Sequence, residues 1–331
     1  MSTITEQTHV PPAMMTKHIV YLLALLAVGC TTPKTSEVVV YADGPVREAT
    51  VFAPGIISTD THSEFSPTFS PDGRTIYFPR RAPEEKQQIY VSNFVDGSWT
   101  PPTVAAFSTD RDETPYITPD GRRFFFGSER PIPGRPNLGG FDMNVWMMEA
   151  TPTGWSTPAP LPSPINEVQQ EGEQWPTANN NLFFTPDNET YYFTTLQPGA
   201  AAIQLFQTTY RQGSFSPPTR ITGLFDDPQY AVYSAVVSPD GRYLVFNSYG
   251  VPSGAGGEDL FVSRRTAAGW SPAVPLGDKV NSPDEESEPR FSRDGRYFFF
   301  TRAENLGNYT YGEWNIMYLD TEALGLDQLF D

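Results

Sequence analysis

Carboxylates recur in short clusters along the chain: Asp60 and Glu64, then Asp110, Asp112 and Glu113, then Glu171 and Glu173, then Asp284, Glu285, Glu286 and Glu288. Gathered at one mouth, they could do three things. They could be solvated and paired with Arg80, Arg130 and Arg302 from neighbouring loops. They could focus a negative field on a divalent cation or a basic partner. Two of them could act as acid and base on a glycosidic bond, which requires carboxyl separations of about 5 Å or about 6.5–9.5 Å. Other catalytic sets are harder to assemble. Beyond Cys30 there is one histidine, His62, and no Gly-x-Ser-x-Gly nucleophile elbow. With Cys30 as the single cysteine, a zinc site of the usual His and Cys ligands cannot be built. Gly254, Gly256 and Gly257 precede no helix and read as a flexible connection. The sequence therefore assigns no catalytic residue, metal ligand or resident cofactor, and leaves a divalent cation at the mouth as an open option.

The elements that would position these groups repeat. Pro71-Asp72-Gly73-Arg74, Pro119-Asp120-Gly121-Arg122, Pro186-Asp187-Asn188, Pro239-Asp240-Gly241-Arg242 and Arg293-Asp294-Gly295-Arg296 each separate an apolar run from an aromatic-rich one, at spacings of 48, 67, 53 and 54 residues. Asp-Gly supplies the φ > 0 conformations that a tight hairpin needs. A second motif follows in four units: Gly97-Ser98-Trp99-Thr100-Pro101, Gly154-Trp155-Ser156-Thr157-Pro158, Gly213-Ser214-Phe215-Ser216-Pro217 and Gly269-Trp270-Ser271-Pro272. Proline cannot donate to a ladder, so these runs belong at an outer edge, with their aromatics as packing residues. Four strands per unit at this period predict propeller blades, starting near residues 63, 112, 180, 233 and 286. The last unit has no outer strand after it, and an orphan strand stands at Ala49 to Ile57. The expectation is an all-β, five-bladed propeller of four-stranded antiparallel blades, closed by pairing of the chain's two ends.

In an up-and-down blade the Pro-Asp-Gly turns lie on one face and the long connections on the other. Binding residues concentrate on loops held by a rigid scaffold. The candidate binding face is therefore Glu64, Glu113, Arg130, Asp142, Glu173, Glu258, Glu286, Arg302 and Trp314, with Trp175, Tyr249, Tyr309 and Tyr311 available for stacking on sugars.

Residues 1–29 read as a targeting segment: Lys17 precedes the apolar run Ile19 to Val28, about half the ~20 residues a spanning helix needs. Ala27-Val28-Gly29-Cys30 resembles the lipobox of bacterial lipoproteins, which implies acylation of Cys30, a linker over 30–37 and one propeller domain over 38–331. That resemblance, with Thr31 after the cysteine, implies a periplasmic or surface-exposed lipoprotein of the cell envelope, anchored at the outer membrane by its lipid alone; a monomer is expected. A net charge of −17 argues against nucleic acid as a partner.

The pattern of Glu64, Pro67 and Phe69-Ser70-Pro71-Asp72-Gly73-Arg74, repeated at Glu286, Pro289 and Phe291-Ser292-Arg293-Asp294-Gly295-Arg296, resembles the TolB-like, WD-repeat-like β-propeller repeat family over about residues 49–319. TolB proteins carry six blades and a separate N-terminal domain, whereas five repeats are read here. The resemblance thus implies the fold, and a nearer likeness to standalone envelope lipoproteins, more than the Tol–Pal partnership. Two units depart from the pattern: Asn188 replaces glycine in the third turn, and Tyr233 stands at the acidic entrance of the fourth. A non-enzymatic binder of an envelope protein or glycan is the favoured expectation, with a carbohydrate-active hydrolase or lyase as the alternative.

Overall fold

Each Pro-Asp-Gly turn is closed by its own side chains. At Asp72 the Ser70 hydroxyl donates to the carboxylate at 2.5 Å, the Arg74 N–H donates to the same oxygen at 3.1 Å, and Ser70 Oγ accepts from the Thr75 N–H at 2.9 Å. The turns at Asp120, Asp240 and Asp294 repeat this network. The serine or threonine before the turn therefore matters as much as the glycine, which sits at φ +71° in Gly73.

The structure, a computed structural model, describes Met1 and residues 39–82, 84–135, 142–167, 182–184, 189–197, 199–308 and 310–331. The chain divides into Met1–Glu37 and Val38–Asp331, and the second unit is the propeller. Residues 2–29 of the targeting segment, Cys30, the linker, Glu171, Glu173, Trp175, the third turn Pro186-Asp187-Asn188 and Tyr309 lie outside the described residues. Among the described residues no helix is long and apolar enough to cross a membrane.

Five antiparallel sheets make the five blades. From inner to outer, the first has Ser63–Glu64 with Thr68–Phe69, Thr75–Arg81, Gln88–Val95, and Ser98–Trp99 with Thr103–Val104. The second has Asp112–Ile117, Arg123–Ser128, Asn144–Thr151, and Gly154–Trp155 with Ala159–Pro160. The third has Leu182–Phe184, Thr190–Thr195, Gln204–Arg211, and Ser214–Phe215 with Thr219–Arg220. The fourth has Ala235–Val237, Tyr243–Tyr249, Glu258–Thr266, and Gly269–Trp270 with Val274–Pro275. The fifth has Glu285–Phe291, Tyr297–Ala303 and Asn315–Asp320, and its outer strand is Thr50–Val51 from the other end of the domain. Thr50 pairs with Tyr318 and Val51 with Met317, so the ring closes as the sequence predicts.

The outer strands that carry the second motif are each split in two, where the sequence suggests one run. The proline of the motif interrupts the ladder, and the hydroxyl before it repairs the loss. Thr100, Ser156, Ser216 and Ser271 each accept the N–H of a third-strand residue at 3.0 Å. Pro79 lies inside a second strand, but the inner strand beside it is already broken between Glu64 and Thr68.

Among the described residues each seam between neighbouring blades holds one apolar cluster, five in all. The motif aromatics belong to them: Trp99 and Trp270 are buried, Phe215 lies 5.2 Å from the Tyr191 ring, and the Trp155 indole donates to Tyr77 Oη at 3.1 Å. At the closing seam Phe52 packs edge-on against Phe299 and Tyr318, both at 5.2 Å. Burying a phenylalanine side chain contributes about 1.5–3 kcal/mol, so the closure stands on its core as well as on two ladder pairs.

Candidate functional site

The inner strands enter the ring from the long-loop face, and three of them begin with the same clamp. Glu64 lies 2.9 Å from Arg80, Asp112 lies 3.0 Å from Arg130, and Glu286 lies 2.7 Å from Arg302; in all three the carboxylate side chain is 0% exposed. Each carboxylate also takes donors from the connection just before its strand: Thr59 N–H and hydroxyl, Ser108 hydroxyl, and Ser282 N–H and hydroxyl. Each arginine in turn donates to a carbonyl at the end of the preceding connection, Ile57, Phe107 or Val280. Arg130 is further sandwiched over Phe126 and Trp146, at 4.9 and 5.3 Å. Burial pushes these carboxyls above the ordinary carboxylate range, while the hydroxyls and guanidinium groups pull them back. The clamp staples one blade to the next. In the fourth blade Val232 and Ser248 occupy the acid and base positions, and the clamp is missing there.

Just inside the clamps the inner strand bulges. Ser66, Thr114 and Glu288, each followed by proline, adopt φ of +33°, +46° and +54°. Positive φ is uncommon for such residues, and its recurrence at one repeat position shows that the bulge is part of the repeat. Glu288 lies within electrostatic reach of Arg290 and Glu113; its Oε2 is enclosed and has no hydrogen-bond partner, and burial pushes its carboxyl upward. Glu113 pairs with Arg111 at 3.1 Å.

Between the fourth and fifth blades lies a second acidic group. Glu258 accepts from the Asn247 amide, and Glu285 accepts from the Glu258 N–H and from Asn305 Nδ2 at 2.6 Å. Burial, with Glu285, Glu288 and Glu286 nearby, pushes the Glu258 carboxyl up to about 8, so it is largely protonated at neutral pH. The glycine-rich loop before it is a tight cradle, which corrects the reading of a flexible connection. The N–H groups of Ala255 and Gly256 both donate to the Asp259 carboxylate, at 3.1–3.3 Å. A Cβ at Gly254 would collide with that carboxylate, one at Gly256 with the carbonyls of Ser282 and Asp284, and one at Gly257 with Glu285.

Beside the first of these clamps, Trp314 lies 6.0 Å from Phe65 and 5.8 Å from Tyr311, and the Arg81 guanidinium covers Phe65 at 5.4 Å. All four side chains are at least partly open to solvent. Tyr249, which ends the second strand of the fourth blade, is 42% exposed. Asp142 sits apart, paired with Arg135 at 3.5 Å and accepting from Asn144. The expected face residues thus separate into staples (Glu64, Arg130, Glu286, Arg302), an inner-strand carboxylate (Glu113), a carboxyl at the seam of the fourth and fifth blades (Glu258) and loop residues (Asp142, Trp314), while Glu173 lies outside the described residues. Among the described residues no three His, Cys, Asp or Glu side chains are grouped to hold a metal ion. Sequence reasoning missed Phe65 and Arg81, although both flank the motif positions Glu64 and Arg80, and it missed Arg290, which breaks the otherwise uncharged pattern Thr68, Tyr116, Val236.

No family model matches the chain, and no curated protein does either. Among solved structures it is similar to the α-L-arabinofuranosidase PaAbf62A from Podospora anserina in complex with cellotriose, at 13% identity over 84% of this chain and 98% of that one, with a TM-score of 0.52. It is also similar to a glycoside hydrolase at 10% identity over 84% of this chain and 91% of the other, TM-score 0.52. A third likeness is to TolB from Acinetobacter baumannii, at 16% identity and a TM-score of 0.46; it covers 79% of this chain, which spans 55% of that protein's length. At these identities the property shared with the first two is the propeller fold alone.

Proposed function

We propose that this propeller is a non-enzymatic binding module of the cell envelope, tethered through Cys30, that recognises an envelope protein or glycan with its long-loop face. The observation that supports this most is the Phe65, Tyr311 and Trp314 cluster with Arg81. Partly exposed aromatic and arginine side chains held by a rigid frame are the chemistry of interface anchors. Trp314 is held in place by the backbone, since its carbonyl accepts the Glu64 N–H at 2.8 Å and its own N–H reaches Ser63 Oγ at 3.3 Å. The test is affinity capture from envelope extracts with the wild-type domain beside Trp314→Ala and Phe65→Ala. A partner lost in both variants, each folded, supports the reading; capture unchanged in both sinks it.

A second reading rests on Glu258. A carboxylic acid kept protonated at neutral pH, with carboxylates close by, is the arrangement of a general acid in glycoside cleavage. In that case a glycan panel gives turnover that disappears in Glu258→Gln, and the Trp314 variant changes KM more than kcat.

A further inference from the structure

The opposite end of the central channel has a different character. On the tight-turn face it opens as a cavity of about 230 Å³ walled by the inner strands of the first, second, fourth and fifth blades. Its described lining contains Thr68, Tyr116 and Ser292, apolar side chains and two arginines, Arg290 and Arg293, with no carboxylate. This is a cationic pocket in a chain of net charge −17.

Both arginines come from the fifth blade and both break the repeat. Arg293 takes the place of the turn proline found as Pro71, Pro119 and Pro239, and Arg290 takes the place of Thr68, Tyr116 and Val236. Arg290 is 4% exposed. Its Nη1 donates to the Pro289 carbonyl at 2.8 Å and its Nη2 reaches Ser66 Oγ at 3.3 Å, while its Nε is enclosed without a partner. Arg293 makes one long contact, Nη1 to the Thr118 carbonyl at 3.4 Å. Neither forms an ion pair among the described residues; Glu288 is within electrostatic reach of Arg290, as Asp120 is of Arg293. A buried guanidinium with unused N–H groups carries a desolvation cost that a bound anion would offset.

We propose that the tight-turn end of the channel binds a small oxyanion between Arg290 and Arg293. The planar donor fork of arginine fits the oxygens of a carboxylate or phosphate group, and among the described residues that line the cavity there is no carboxylate. Burial lowers the proton affinity of the Arg290 guanidinium, which marks charge held where water is scarce. The site does not depend on what the long-loop face recognises.

The experiment is calorimetric titration of the purified protein with inorganic phosphate, and separately with acetate, at constant ionic strength balanced with sodium chloride. Thermal midpoints are followed in parallel, since a ligand specific for the folded state raises them. Saturable binding of either anion is expected, weakened at least tenfold in Arg293→Gln and unchanged in Arg74→Gln, whose arginine lies in a turn but outside the cavity. Phosphate binding alone identifies a phosphoryl site and acetate competition a carboxylate site. No saturable binding of either anion, or equal affinity in Arg293→Gln, overturns the proposal. Should Arg290→Met fail to fold, Arg293→Gln, a change at an exposed turn, still decides.

Discussion

The Glu64 N–H donates to the carbonyl of Trp314 at 2.8 Å, although 250 residues separate them in sequence. This one bond sits where the ring closes. It joins the first inner strand to the last long loop, and it sets Trp314 against Phe65, whose neighbour Glu64 is stapled by Arg80. Closure and the candidate recognition surface are therefore one structural feature, and changes to either should be felt in the other.

Removing a staple arginine should cost more than a surface ion pair would. Arg130→Met leaves the Asp112 carboxylate buried without its cation, which typically costs about 3–5 kcal/mol. Urea unfolding at neutral pH should show this loss, and the loss should shrink at acidic pH, where Asp112 can protonate. A loss below about 1 kcal/mol would mean that the pair behaves as an exposed one.

Stability should fall as pH rises through the window set by Glu258. The folded protein keeps that proton up to a pKa of about 8, against 4.5 in the unfolded chain. Between those values the folded state binds more protons, so raising the pH favours unfolding. Glu258→Gln is always neutral and should lose this slope. At pH 9 it should be more stable than wild type by about 1–2 kcal/mol, less than so large a change in proton affinity would give a fully enclosed group, because Glu258 retains some solvent contact. Parallel pH profiles for the two proteins would contradict the assignment.

The closing seam should be sensitive to Phe52, which is 2% exposed and follows a strand of two residues. Phe52→Ala should cost about 3–5 kcal/mol. Thermal unfolding should show the loss, with release of the N-terminal segment seen as faster amide exchange at Asp320, whose N–H donates to the Val46 carbonyl at 2.8 Å.

Gly256→Ala should destabilise by about 1–3 kcal/mol, because its Cβ meets the fixed carbonyls of Ser282 and Asp284. Ala255→Gly, at an exposed position in the same loop, should cost much less, and equal effects would show that the loop is pliable after all.

The fold was readable because its signals are local and repeated. Ser-Pro-Asp-Gly-Arg carries a whole turn within five residues, so its near-copies define the hairpins, and the orphan strand at Thr50–Val51 defines the closure. The pairing of Glu64 and Glu286 with Arg80 and Arg302 was also open to reasoning, since acid and base stand eight residues before and after the turn aspartate; Asp112 keeps the acid position, but Arg130 stands two residues further along than the other two arginines. What the loops do was less legible. Gly254, Gly256 and Gly257 look like a linker in sequence because the groups they approach, Asp259, Asp284 and Glu285, are brought in by the next strands. The protonated state of Glu258 and the aromatic neighbours of Trp314 likewise depend on contacts made only when the ring is closed.

The most direct test of the central claim is capture of a partner by the long-loop face, compared between wild type and Trp314→Ala with folding checked in both. The account predicts one dominant envelope protein or glycan retained by wild type and lost at least tenfold in the variant, with Glu258→Gln binding as wild type does. Equal capture by Trp314→Ala, or glycan turnover abolished by Glu258→Gln, would contradict it.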